Sequence, residues 1–380
     1  MKLIRIKDLG RTVTGHTPPT SESKYYGDFM PFVKPTDIDV ESKYTYSPEQ
    51  YYSEEAAEKY KTSLIPKGST CVVCIGTIGE KMTMAHCDLF TNQSINSIIP
   101  SQEYDPDYVF YLLKYNLGKV KALNKGTASG REFVSKSTFL EMEVSVFEDK
   151  ATQERIGSIL SAYDSLIENN QQQIRLLKEA ANRLYKEWFI DFNYPGCSCS
   201  DQNDFLPDGW KRVKLDDSFM PIITGKKDAN FATPDGQYAF FTCAQEPSKA
   251  PSYSFDTEAV ILAGNGDFNV KLFRGKFEAY QRTYVLSPYN KDMLFLLYYC
   301  IEDNMRSLAK GAAGSTIKFL TKGMIQSVSI VVPPADVLSA FNSIVEPIQS
   351  SIESLSLSNS LLRKAQDALL PRLISGETIV

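Results

Sequence analysis

The chain has 380 residues, 43% of them hydrophobic and 23% charged. That is enough for two or three ordinary globular domains, and it excludes a disordered or collagen-like chain. The formal net charge is −5 and no segment is strongly basic, so any surface for nucleic acid must be a local patch on a near-neutral domain.

At the N-terminus, Met1 to Lys7 alternates charged and apolar residues and has no uninterrupted signal core. Residues 1–150 read as short strands, turns and Gly/Pro punctuation. Within them Cys71-Val72-Val73-Cys74-Ile75-Gly76 is an apolar, strand-like run. The longest uncharged apolar stretch, Gly68 to Gly79, is too short to span a bilayer. A brief helix is expected over Asp107 to Lys121. The glycine loop Gly126 to Lys136 and an alternating strand, Met142 to Phe147, follow. A long helix is expected over 151–190, then a turn-rich linker over 191–210. A second mixed segment covers 211–334, and a second long helix with a tail covers 335–380. The seven cysteines are odd in number and irregularly spaced, which points to free thiols in a reducing cytoplasm.

The second mixed segment repeats the first. Lys310 and Gly311 to Lys322 echo Lys125 and Gly126 to Lys136, and Val328 to Pro333 echoes Met142 to Phe147. Ala259 to Gly264 matches Cys71 to Gly76, Gln281 with Pro288 matches Gln93 with Pro100, and Thr224-Gly225 matches Thr14-Gly15. A brief helix over Lys291 to Leu308 matches the one over Asp107 to Lys121. A unit this long is a duplicated domain, not a solenoid repeat.

The long helices share a narrow apolar stripe. Ile156, Tyr163, Asn170, Leu177 and Leu184 are spaced by seven, as are Leu160, Ile167, Ile174, Ala181 and Trp188. Together they form a coiled-coil seam over about five heptads. A shift of 185 residues gives Phe341, Val345, Ile348, Ile352, Leu355, Asn359, Leu362, Gln366 and Leu369 in the second helix. The plainer alternative is two amphipathic helices, each packed on its own domain. Pro347 is expected to kink or delay the second helix. Its many serines, from Ser350 to Ser360, make it weak alone and dependent on a partner.

Catalytic motifs are missing. Neither glycine loop supplies the lysine of a P-loop. Gly76-Thr77-Ile78-Gly79 is only a weak glycine turn. Val332-Pro333-Pro334-Ala335 and Ser287-Pro288-Tyr289 each match part of an amino-methyltransferase loop, without a glycine motif for its cofactor. Cys71 and Cys74 with His86 and Cys87 have zinc-ligand chemistry, but the second copy has Ala259 and Leu262 in place of the first pair. With two histidines in the chain, neither a catalytic triad nor a histidine-rich metal centre is expected. The expected role is that of a non-catalytic reader or adaptor.

The chain resembles the specificity subunit of type I restriction–modification enzymes. Gly15-His16-Thr17-Pro18 followed by Tyr26 to Phe32 is similar to that family's opening of a target recognition domain. Leu206-Pro207-Asp208-Gly209-Trp210 is similar to the start of the second such domain. Asn182 to Phe189 resembles its helix-to-linker passage, and Leu369 to Gly376 its C-terminal ending. The second copy departs from the first, with Gly225-Lys226-Lys227 for Gly15-His16-Thr17 and Thr242 to Gln245 near the place of Val33 to Thr36.

The resemblance implies an α+β fold. Two duplicated α/β target recognition domains would be separated by two long helices in an antiparallel coiled coil, with pseudo-two-fold symmetry. It implies a cytoplasmic, non-membrane DNA reader with one domain per half of a split double-stranded site. Two modification subunits would carry S-adenosylmethionine, and restriction subunits would bring ATP and Mg; this chain would carry no cofactor or metal of its own. Alternatives are the recognition subunit of another restriction or phage-defence methyltransferase, and a protein-interaction scaffold that does not bind DNA.

Loop residues with hydrogen-bonding side chains are the DNA-binding candidates. In the first copy they are His16, Thr17, Lys34, Thr36, Asn92, Gln93, Ser129 and Arg131. In the second they are Lys226, Lys227, Thr242, Gln245, Gln281, Arg282, Ser315 and Lys318. For antiparallel helices, Asn170 and Asn359 are expected to face one another near the middle of the seam, where paired amides satisfy each other.

Overall fold

The computed structural model describes residues 1–124, 132–195, 206–314 and 318–378. The chain divides into two compact units: residues 1–173 with 355–380, and residues 174–354.

The first unit carries β1 (Lys2–Arg5), β2 (Gly10–Thr14), β3 (Tyr26–Gly27), β4 (Met30–Val33) and β5 (Gln50–Tyr52). Helix α1 (Glu54–Lys59) follows, then β6 (Thr70–Val73), β7 (Met82–Met84), β8 (Phe90–Thr91) and β9 (Ile95–Pro100). Next come α2 (Pro106–Tyr115), α3 (Leu117–Ala122), α4 (Lys136–Leu140), β10 (Glu143–Val146) and the start of α5 (Lys150–Phe189). One sheet runs β2-β9-β6-β7 and a second runs β3-β5-β4-β8, while β1 pairs only with β10. Strand β6 is buried along its whole length, which explains why its Cys71-Val72-Val73 run is continuously apolar rather than alternating.

The brief helix expected here is in fact two. Asp105 caps α2 by accepting the Tyr108 N–H, and Pro106 occupies the first turn, where its missing donor costs nothing. The break falls at Asn116, whose buried side-chain amide donates to the Leu112 carbonyl at 2.8 Å. An Asn that bonds the preceding turn competes with helix continuation. Buried Tyr108 to Leu113 pack in one core with Ile156 and Leu160 of α5.

The second unit holds β11 (Lys211–Lys214), β12 (Ile222–Thr224), β13 (Tyr238–Phe241), β14 (Ser248–Ala250), β15 (Phe255–Ala263), β16 (Val270–Ala279) and β17 (Thr283–Leu286). It then holds α6 (Leu294–Gly311), α7 (Lys322–Ser327), β18 (Ser329–Val332) and most of the first half of α8 (Ala335–Ser375). Its main sheet runs β12-β17-β15-β16-β13-β14, and β11 pairs only with β18. The order β12-β17-β15-β16 is that of β2-β9-β6-β7, and β13 lies parallel to the end of β16 as β4 lies parallel to β8. The duplication seen in sequence therefore extends to strand order. The difference is that β16 is one ten-residue strand where the first unit has two short ones, so two sheets become one.

Within the first unit, α8 packs beside α5 with opposite chain sense. Gln366 donates to the Leu160 carbonyl at 3.0 Å, while Asn359 lies against Asn170 further along α5. In the second unit Phe341 of α8 is fully buried against the rings of Trp188, Phe189 and Tyr299. Truncating such a side chain to Ala costs roughly 3–5 kcal/mol.

Pro347 does not delay α8, which begins at Ala335 and continues as helix through both Pro347 and Pro371. Pro347 is exposed, so the Ser343 carbonyl it leaves without an intrahelical donor is next to solvent. Buried Val345 and Ile352 hold the helix down on either side.

Candidate nucleic-acid interface

In the first unit, backbone hydrogen bonds tie four strand ends into one rim. The Gly15 N–H donates to the Ile95 carbonyl at 3.2 Å, His16 N–H to Thr91 at 2.8 Å, and Asn92 N–H to Val33 at 3.2 Å. A Cβ on Gly15 would stand 2.2 Å from the Thr91 carbonyl oxygen, so only glycine permits this approach. The rim brings together His16, Thr17, Lys34, Asn92 and Gln93, which are far apart in sequence.

The second unit builds the same rim. The Gly225 N–H donates to the Thr283 carbonyl at 3.1 Å, Tyr280 N–H to Phe241 at 2.9 Å, and Gln281 N–H to Lys227 at 2.9 Å. A Cβ on Gly225 would lie 1.8 Å from the Ala279 carbonyl oxygen. Lys226, Lys227, Thr242, Gln281 and Arg282 are gathered here.

The candidates differ in how free their side chains are. His16 is exposed and its ring lies 4.5 Å from that of Tyr60. The Thr17 hydroxyl donates to the Gln93 amide oxygen. Lys34 is ion-paired with Glu49 at 2.7 Å, and its ammonium holds that carboxyl below its ordinary range. Thr36 is exposed, while the Asn92 side chain is committed to the Ser94 N–H. Lys227 places its ammonium 4.3 Å from the Phe231 ring centroid, and Thr242 accepts from the Ala244 N–H. Gln245 donates to Asp267 and Gln281 to Asp228. Lys226, Arg282 and Lys318 are exposed and make no ion pair or side-chain hydrogen bond among the described residues. Ser129, Arg131 and Ser315 lie outside the described residues.

Sequence reasoning missed Tyr60 and Lys271. Tyr60 lies far from His16 in sequence and joins it only through the fold. Lys271 donates to the Ala244 carbonyl at 2.9 Å beside Cys243 and Asn269, and burial pulls its pKa down. Its position inside a long strand gave no loop signal.

The zinc chemistry weighed for Cys71 and Cys74 does not assemble. Among the described residues no group of three or more His, Cys, Asp or Glu is arranged to hold a metal ion. Both thiols are buried, and burial raises them to about 12 and about 11, which keeps them protonated and inert.

Along the helices, every seam candidate is buried or half-buried. Ile156, Leu160, Ile167, Phe341, Val345, Ile352 and Asn359 are buried; Tyr163, Asn170, Ile174, Leu177, Leu184, Ile348, Leu355, Leu362 and Leu369 are half-buried. The amide of Asn170 donates to Asn359 Oδ1 at 2.9 Å. Tyr185 and Phe189, outside the seam, are also buried and pack on the core of the second unit. Among the described residues no helix is long and apolar enough to cross a membrane.

Comparison with known proteins places this arrangement. The family model for the type I restriction modification DNA specificity domain matches residues 1–179 and 207–354. The MjaIX specificity subunit of a type I restriction enzyme from Methanocaldococcus jannaschii is 26% identical, over 98% of this chain and 92% of its own length. The EcoDI specificity subunit from Escherichia coli is 39% identical over 45% of this chain and 39% of its own length. In fold, the chain is similar to the S subunit of a type I restriction–modification system from M. genitalium. That likeness has a TM-score of 0.62 at 15% identity, covering 98% of this chain and 95% of the other. A duplicated domain with matching rims, joined by long helices and matched twice by one family model, belongs to the DNA specificity subunits of type I restriction–modification enzymes.

Proposed function

We propose that the two units each read one half of a split double-stranded DNA site, with α5 and α8 setting the distance between the halves. The observation that carries this reading is the rim built twice from the same strand ends, with Gly15 bonded to Ile95 as Gly225 is to Thr283 and Asn92 to Val33 as Tyr280 is to Phe241, but with mostly different side chains. A duplicated reader with divergent tips fits an asymmetric bipartite site, whose spacing follows from protein geometry. Backbone phosphates would position each unit, and base contacts would specify the sequence.

The partners fit the same reading. Two modification subunits dock on the helices and supply S-adenosylmethionine, and restriction subunits supply the ATP- and Mg-dependent chemistry. The work takes place in the cytoplasm. This chain supplies sequence choice and no catalytic group. Partner subunits can also contribute basic surface, which offsets a formal charge of −5.

The test is binding of the assembled complex to a pool of duplexes with two randomised tracts at varied separation, across a salt series. Enrichment of two defined tracts at one separation, with affinity falling steeply in salt, supports the reading. Enrichment of a single tract, or none, overturns it.

A further inference from the structure

Each rim carries a two-residue turn. In the first unit the Ile95 N–H closes back on the Asn92 carbonyl at 3.1 Å, leaving Gln93 and Ser94 at the tip. In the second the Thr283 N–H closes on Tyr280 at 2.8 Å, leaving Gln281 and Arg282. The turns are equivalent by register. Val73 pairs with Ile95 as Ala263 pairs with Thr283, and Cys74 N–H donates to Ser94 as Gly264 N–H donates to Arg282, both at 2.8 Å.

The two tips share their glutamine and differ at the next position. Ser94 is buried, whereas Arg282 is exposed. The Arg282 backbone is fixed. Its carbonyl accepts from Gly264 and from the Cys243 thiol, and a Cβ on Gly264 would come within 2.3 Å of that oxygen. Its guanidinium, by contrast, has no ion pair or hydrogen bond among the described residues. Beside it, Gln281 Nε2 donates to the Asp228 carboxylate at 2.6 Å. A carboxylate only accepts, so the amide orientation is set, and among the described residues Oε1 has no hydrogen-bond donor.

Resting on the half-site reading above, we infer that Arg282 is a specificity-determining residue of the second unit and recognises a guanine in its half-site. A rigid backbone carrying a free planar fork matches the two acceptors of guanine, O6 and N7, in the major groove. The acceptor oxygen of Gln281, one residue away, suits an exocyclic amino group on a neighbouring base. The equivalent tip of the first unit has a buried serine and lacks this contact.

The experiment uses the full chain in its assembled complex and the duplex pool described above. Wild-type protein first defines both tracts; failure to enrich two tracts overturns the half-site reading itself. With two tracts in hand, Arg282→Ala is compared with wild type. The expected result is that one guanine of one tract loses its preference by about 5- to 150-fold while the other tract is unchanged. A uniform loss of affinity with every base preference retained identifies a phosphate contact and overturns the inference. So does an unchanged profile. Arg282→Lys, which keeps the charge without the fork, is expected to restore part of the affinity but little of the guanine preference. Because Arg282 has no side-chain partner among the described residues to lose, an unchanged melting temperature verifies that each variant is folded.

Discussion

The amide pair in the helix seam gives a quantitative test. Asn359 is 4% exposed and accepts from Asn170, which is half-buried. Asn170→Ala leaves a buried carbonyl oxygen without its donor, a loss of about 1–3 kcal/mol when no water replaces the partner. The half-open side of Asn170 admits some water, so the lower end, about 1 kcal/mol, is expected. Asn359→Ala strands the more accessible partner and removes a buried side chain, at about the same cost. Replacing both with Leu removes the desolvation penalty, so the double variant should be near wild type or more stable, while fixing the helix register less tightly. The chain has two tryptophans, Trp188 and Trp210, and both fall in the second unit, so their fluorescence does not report this layer. Amide hydrogen exchange of segments 160–173 and 355–370 does. A 1 kcal/mol loss speeds exchange through opening about fivefold. The reasoning fails if either alanine variant exchanges like wild type, or if the two alanine costs add within about 0.3 kcal/mol instead of coupling.

Other consequences are directly measurable. Replacing Lys226 and Lys227 together with Ala should weaken DNA binding by the complex and flatten its log–log salt slope by up to about 2; an unchanged slope would remove these residues from the phosphate contact surface. Inserting or deleting one heptad in α5 should change the tolerated separation of the two half-sites and leave their base preferences intact, as read by enrichment from the duplex pool. At pH 8, Cys87 and Cys243, which are only half-buried, should react with a thiol reagent, whereas buried Cys71, Cys74 and Cys300 should react only on unfolding. Burial raises the folded-state pKa of Cys71 and Cys300 to about 12 and of Cys74 to about 11. The unfolded chain therefore loses these protons first. Their contribution to stability is complete below the ordinary thiol value of 9.0 and is lost as pH rises toward 11–12. Denaturant titrations should show stability falling above about pH 9, and a flat profile to pH 11 would contradict the burial of these thiols.

The duplication was readable because it left matched landmarks whose physics is local: the two glycines that let strand ends meet and the glutamines seven residues before a proline. The sequence match of the paired apolar runs is two residues out of step, because strand register makes Cys74, not Gly76, the equivalent of Gly264. The seam was readable because a helix repeats its burial pattern along its own sequence. The structure departs where neighbours from elsewhere in the chain decide. Asn116 breaks a helix that the apolar pattern alone continues. Pro347 is tolerated because it faces solvent between buried Val345 and Ile352. Tyr60 reaches His16, and Arg282 stands where Ser94 is buried, only once several strand ends are brought together. Polarity in a loop marks a candidate but does not say whether its side chain is already spent internally. Lys34 and Gln245 are spent in this way, and Arg282 is not.

The claim that each unit reads its own half-site is tested most directly by exchange. Residues 201–335 are replaced by the corresponding segment of a relative with a known, different site, and the methylated sequences of the assembled complex are determined. The account predicts that one half-site changes to that of the donor while the other half-site and the separation stay as they were. If both half-sites changed, or if neither did, the division of reading between the two units would be contradicted.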